Sequence, residues 1–211
     1  MEIQHEEYRT IIRFYEEYRQ EITQLDFEEY FELLLAYTKA LFEIGAYGSF
    51  VEVVDNAIGI TIEHNIHFYQ GEDIYQELLF RKAAAYYNLH EFDKSKYILR
   101  ELIKIDPWNQ LTIRFLKKCL RGEKSPYLRS ARAISVVLFF IAAVIIAVEI
   151  LFVSPVYPEY VMEVRLARNL FFLSGVGTLL IGEAINYWRI YSQTEAFARQ
   201  ARSKKHKNSD S

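Results

Sequence analysis

The apolar residues of this chain change their spacing partway along it. Between residues 2 and 121 they recur at steps of three and four, as in Phe27, Phe31, Leu34, Leu35, Leu41 and Phe42, and again in Phe50, Val51, Val54, Ala57, Ile58 and Ile62. That period gathers them on one stripe of an α-helix, so the region reads as a run of amphipathic helices without strand alternation. Asp26-Phe27-Glu28-Glu29 reads as a helix start, with Asp26 as cap and acids in the first turn. Gly45 and Gly48 break the pattern between the two stripes, making 27–62 one helical hairpin. Residues 75–109 form a second. Helix 2–22 and a helix 107–121, with Pro107 in its first turn, are expected to close the two ends.

Past residue 132 the alternation disappears. Residues 133–153, AISVVLFFIAAVIIAVEILFV, carry one charge, Glu149. Such a helix is about 31 Å long, close to the ~30 Å hydrocarbon core of a bilayer, and the remaining amphipathic residues are too few to cover it. A second run, Asn169–Tyr187, is less apolar; with the aromatic cluster Tyr187/Trp188/Tyr191 and Arg189 it makes a second span, 169–190, with an interfacial anchor. Pro155 and Pro158 are expected to stop the first helix, leaving 154–168 as a short external loop. The organisation expected is therefore a helical domain 1–121, a basic juxtamembrane linker 122–132, spans 133–153 and 169–190, and a basic tail 191–211, expected to be disordered.

Charge divides the chain in the same place. Residues 1–110 hold 21 Asp/Glu against 10 Lys/Arg, and residues 111–211 hold 7 against 15. The basic residues flank the spans: Lys117, Lys118, Arg121, Lys124, Arg129 and Arg132 before the first, and Arg189, Arg199, Arg202, Lys204, Lys205 and Lys207 after the second. The connecting loop has only Arg165 and Arg168. By the positive-inside bias both termini are expected in the cytoplasm, and the cell membrane is the expected membrane. The start, MEIQHEEYRT, lacks the basic head and apolar core of an export signal, in keeping with a cytosolic first domain.

Within the spans, Ser174, Thr178, Gly182 and Asn186 fall every fourth residue and form a small, polar stripe. Such a stripe packs helices closely in lipid, either within the hairpin or between copies in a homo-oligomer. Glu149 and Glu183 are the residues most at odds with their surroundings, since a carboxylate in hydrocarbon is costly. Asn186, one turn from Glu183, is its candidate bonding partner. Replacing either acid by Gln is expected to ease insertion.

Residues 75–109 also carry a more specific pattern. Leu79, Ala83 and Tyr86 on the first helix, Phe92 after the turn, Leu99 and Leu102 on the second, and Asp106-Pro107 at the end resemble a tetratricopeptide repeat, a unit of about 34 residues. His90 and Ser95 depart from that pattern, at positions where Gly and Ala are preferred. The first hairpin is a looser match, with Phe50 placed opposite Phe92, a separation of 42 residues attributed to an insertion at 67–73. The resemblance implies an all-α solenoid fragment whose first helices line a groove for a protein or peptide. It places Glu77, Phe80, Ala84, Tyr87 and Asn88 in that groove, with Thr38 and Phe42 from the looser repeat.

Little points to catalysis. The chain has no phosphate loop, nucleophile elbow or HExxH motif, and one cysteine, Cys119. His64 and His67 share a helix face, but with Glu63 alone beside them they make an incomplete metal set. No cofactor, no metal and no enzymatic activity are expected. The acidic domain would repel nucleic acid, and the basic clusters match anionic lipid headgroups. The function expected is a membrane-anchored adaptor or scaffold that binds a cytosolic protein or peptide. The alternative is an oligomeric two-span pore or transport subunit regulated by the helical domain.

Overall fold

A computed structural model describes residues 2–69, 71–123 and 126–209. The chain divides into two compact units, one made of Met1–Leu120 with Phe197–Ser211, the other of Arg121–Ala196.

The first unit is almost wholly helical: α1 (Glu2–Glu17), α2 (Arg19–Ile22), α3 (Phe27–Glu43), α4 (Tyr47–Glu63), α5 (Ile74–Asn88), α6 (Phe92–Ile105), α7 (Gln110–Gly122) and the end of α10 (Val161–Ser209). Helices next to each other in sequence pack on each other: α3 on α4, α4 on α5, α5 on α6, with α1 against α3. Two apolar clusters result. One gathers Tyr15, Phe31, Leu34, Leu41, Phe50, Val54 and Leu78. The other gathers Ala83, Leu99, Ile103, Ile113 and Leu116 with Ala198 and Ala201 of α10. Tyr15 and Tyr37 stack in the first cluster, ring centroids 4.1 Å apart. Burial, followed by the nearby Glu16 carboxylate, pushes the Tyr37 hydroxyl up to about 12.

Caps follow side-chain chemistry. Asp26 accepts a hydrogen bond from the Glu29 amide at 3.0 Å and starts α3, as its sequence context indicates. Asp73 does the same for α5 through the Gln76 amide. The turns after α3 and α5 share one geometry. Gly45 and His90 are both left-handed, with φ of +80° and +62°. The next amide in each case, Ala46 or Glu91, reaches back to the carbonyl of Leu41 or Tyr86. His90 thus adopts the backbone conformation for which Gly is the easy choice.

This shared turn corrects the alignment of the two hairpins. Gly45 corresponds to His90 and Tyr47 to Phe92, a separation of 45 residues, so Phe50 lies opposite Ser95 rather than Phe92. Phe50 and Ser95 are both fully buried. The Ser95 hydroxyl is satisfied by the Ala83 carbonyl at 2.8 Å, which explains a polar residue at that site. The extra length lies in an antiparallel pair of two-residue strands, β1 (Phe68–Tyr69) and β2 (Glu72–Asp73), too short for any alternation to register.

Several boundaries differ from the expectations. Gly48 lies inside α4, and the break is confined to Gly45. Pro107 sits in a turn before α7 rather than in its first turn. Asn109 takes the cap, its Oδ1 accepting from the amides of Leu111 and Thr112. The largest difference is the tail. Residues 191–209 are helical, not disordered, and continue α10. Ala198 and Ala201, 0% and 8% exposed, let this helix approach α6 and α7 closely. Arg202 Nε donates to the Pro107 carbonyl at 3.0 Å, and Lys205 Nζ donates to that of Ile105, the last residue of α6, at 2.5 Å. A cation placed on terminal helix carbonyls is favoured by both the open acceptors and the helix dipole.

The second unit holds α8 (Pro126–Val148), a π-helical turn (Glu149–Val153), α9 (Ser154–Val156), a 3-10 turn (Pro158–Tyr160) and the first part of α10. Leu128–Val153 and Val161–Lys207 are long and apolar enough to cross a membrane. The linker 122–132 is largely absorbed into α8, although residues 124 and 125 lie outside the described set. The loop is shorter than 154–168, because VMEVRLAR contains no breaker and joins α10. Pro155 does not stop the helix. It lacks an amide proton, and the turn before it widens so that Ser154 N–H reaches the Glu149 carbonyl. The break comes at Tyr157, which takes φ −134°, ψ 66° ahead of Pro158.

Within this unit Gly175 and Gly182 mark where the two helices meet. A Cβ at Gly182 would lie 2.9 Å from that of Ala131, and one at Gly175 would lie 2.8 Å from the Phe139 ring. Gly182 belongs to the expected stripe, but Ser174 is exposed and its hydroxyl bonds the Phe171 carbonyl. Thr178 likewise bonds the Ser174 carbonyl, so both hydroxyls are spent on their own helix rather than across the contact.

Candidate partner-binding groove

Two concavities are lined by residues of α5. One, about 390 Å³, lies between α5 and α7 and is lined by Phe80, Ala84, Tyr87 and Asn88 from α5 and by Leu111, Arg114, Phe115 and Lys118 from α7. These four α5 positions fall one turn apart along a single strip of the helix, and all four belong to the expected groove. Phe115 fastens the floor, its ring 5.4 Å from that of Phe80 and 5.5 Å from that of Tyr87. Lys118 Nζ stands 5.1 Å from the Tyr87 ring centroid, a cation-π distance. The Asn88 amide is spent on the Ala84 carbonyl.

The other concavity, about 440 Å³, lies between α3 and α5. Glu77 lines it and pairs with Arg81 at 2.6 Å. Arg81 in turn lies over the Phe42 ring at 5.6 Å. Phe42 also packs edge-on against Tyr47 and Phe50, so most of its ring is committed to the hairpin. Thr38 is 1% exposed and its hydroxyl bonds the Leu35 carbonyl, which leaves it no group for a partner. Thr38 still lines this concavity, beside Glu77. With a separation of 45, Ala84 corresponds to Lys39, which also lines the cavity and is exposed. The α7 wall, Leu111, Arg114, Phe115 and Lys118, was missed although its i, i+3, i+4 spacing was visible, because that helix was read only as an end cap.

Both acids of the two apolar helices, Glu149 and Glu183, are paired by arginine. Glu149, 6% exposed, receives Arg165 Nε at 2.8 Å on one oxygen and Arg168 Nη1 at 3.1 Å on the other. Glu183 is exposed and meets Arg132 Nη2 at 3.0 Å, rather than Asn186, which is half-buried. Arg121 lies over the Tyr187 ring at 4.9 Å. The arginine partners of Glu149 and Glu183 lie 16 to 51 residues away in sequence, beyond the one-turn range that helix periodicity exposes. Among the described residues no group of three or more His, Cys, Asp or Glu side chains is placed to hold a metal ion. His64 instead stacks on Phe27, ring centroids 3.9 Å apart.

No family model matches the chain, and no curated protein or solved structure matches it either.

Proposed function

We propose that this chain is a membrane-anchored, non-enzymatic adaptor, whose tetratricopeptide-like helices hold a protein or peptide partner on the α3/α5/α7 face. The observation that carries the reading is the half-buried aromatic floor of Phe80, Tyr87 and Phe115, open to solvent beside two exposed cations. Partly exposed aromatic rings in a concavity are the groups that dominate protein interfaces. The arginine partners of Glu149 and Glu183 favour an anchoring hairpin over the alternative, a conducting one, since neither acid stands alone.

A photoreactive residue placed at Tyr87 in the full chain should cross-link a discrete protein in cells, and one placed at solvent-exposed Tyr97 should not. Tyr87→Ala with Phe115→Ala should weaken that partner by at least about 30-fold, the loss of about 2 kcal/mol expected for anchor residues. Equal cross-linking from both positions would count against the groove.

The reading also places both termini in the cytosol. On a Cys119→Ser background, Tyr160→Cys should label from outside the cell and Ser209→Cys only after permeabilisation. Labelling of Ser209→Cys in intact cells would overturn the topology.

A further inference from the structure

We infer that the α5/α7 cavity takes an internal segment of a partner protein in which apolar side chains are flanked by acidic ones. The inference rests on the adaptor reading above and deepens it. Three features of the cavity lead there. Its lining contains no Asp or Glu, in a region, residues 1–110 and the α7 that follows, where acids outnumber bases until α7 begins. The whole of α7, QLTIRFLKKCLRG, is free of acids. Its two lining cations, Arg114 and Lys118, are both exposed, and among the described residues neither forms an ion pair. Unneutralised cations beside a half-buried aromatic surface complement a ligand that is apolar at its centre and negative at its edge.

The spacing bears on the source of that negative charge. Arg114 and Lys118 are one helical turn apart, about 6 Å along α7, which suits two separate carboxylates rather than the two oxygens of one. The neutral donor that could help enclose a chain end, the Asn88 amide, is already bonded to Ala84. Side-chain carboxylates within a continuing segment therefore fit better than a free C-terminus. Away from α7 the acidic surface repels such a segment, which restricts it to this site.

The test uses the full chain in detergent micelles and two short, acetylated and amidated peptides. Each carries a central Leu-Phe pair, flanked by glutamates in one and by lysines in the other. Fluorescence anisotropy should show the glutamate peptide binding at least tenfold tighter, and its affinity should fall as salt rises. Arg114→Glu with Lys118→Glu should reverse the preference, and Arg114→Gln with Lys118→Gln should abolish it, with an unchanged circular dichroism spectrum in both. Equal binding of the two peptides, binding of neither, tighter binding of the glutamate peptide with a free carboxyl terminus, or a preference that survives charge reversal would each overturn the inference. If the Tyr87 cross-link still captures a protein in cells, only the partner's chemistry has failed. If that cross-link is also absent, the adaptor reading fails with it.

Discussion

Deleting residues 197–211 should strip stability from α6 and α7, although the deleted segment reads as a solvated basic tail. The deletion uncovers the face formed by Ala83, Leu99, Ile103, Ile113 and Leu116, and removes the two donors on the carbonyls of Ile105 and Pro107. The burial of Phe197, Ala198 and Ala201 with two charged hydrogen bonds amounts to about 3–5 kcal/mol. For a domain of this size that corresponds to roughly 10–20 °C in melting temperature. Hydrogen exchange on the full chain in micelles would localise the effect, with amides of α6 and α7 losing protection while those of α3 and α4 change little. Ala198→Glu, which forces a carboxylate into a site with no exposure, should reproduce the loss without shortening the chain. Unchanged protection in both variants would mean that the docked helix contributes nothing. By the same reasoning a fragment ending at residue 121 should be less stable than one supplied with 197–211 as a separate peptide.

The second large effect concerns Glu149, where pairing reverses the sign expected from the sequence. Neutralising an isolated acid in hydrocarbon would ease insertion. Here Glu149→Gln leaves Arg165 and Arg168 facing an uncharged group, two cations without their counter-charge. Breaking a buried ion pair by removing one partner costs about 3–5 kcal/mol, and the figure here should be nearer 2–3 because Arg165 is 61% exposed. Energy transfer between labels on α8 and α10 during an SDS titration should report earlier separation of the two helices. Arg168→Gln should cost more than Arg165→Gln, since Arg168 is the less exposed partner. Replacing all three charges with leucine should recover most of the loss. A hairpin that becomes more stable with Glu149→Gln alone would show that the ion pairs do not form in the membrane.

What could be read from the sequence, and what could not, divides by the range of the interaction. The Asp26 cap is local, set within a few residues by helix geometry; Phe80, Ala84, Tyr87 and Asn88, which the repeat resemblance singles out, line one cavity. At the observed spacing of 45 Thr38 corresponds to Ala83, and it lines the α3/α5 concavity as a buried residue whose hydroxyl bonds its own helix. The arginine partners of Glu149 and Glu183 and the docking of α10 depend on contacts across tens of residues. The docked segment EAFARQARSKKHK shows why composition misleads: Phe197, Ala198 and Ala201 supply its apolar contacts, and its abundant cations, two of which anchor it, suggest only solvent.

Because its second apolar cluster joins Ala83–Cys119 to Ala198 and Ala201, the first unit cannot be completed in the order in which it is synthesised. Helices α6 and α7 leave the ribosome before Arg121–Ala196 and wait for Ala198 and Ala201 to follow. At about 5–20 residues per second, the interval from Leu120 to Ala201 is roughly 4–16 s. Throughout it the faces of Leu99, Ile103, Ile113 and Leu116 lack Ala198 and Ala201, and are open to chaperones or to other nascent chains. A premature stop codon at or before Ala198 would extend that exposure from seconds to the lifetime of the protein.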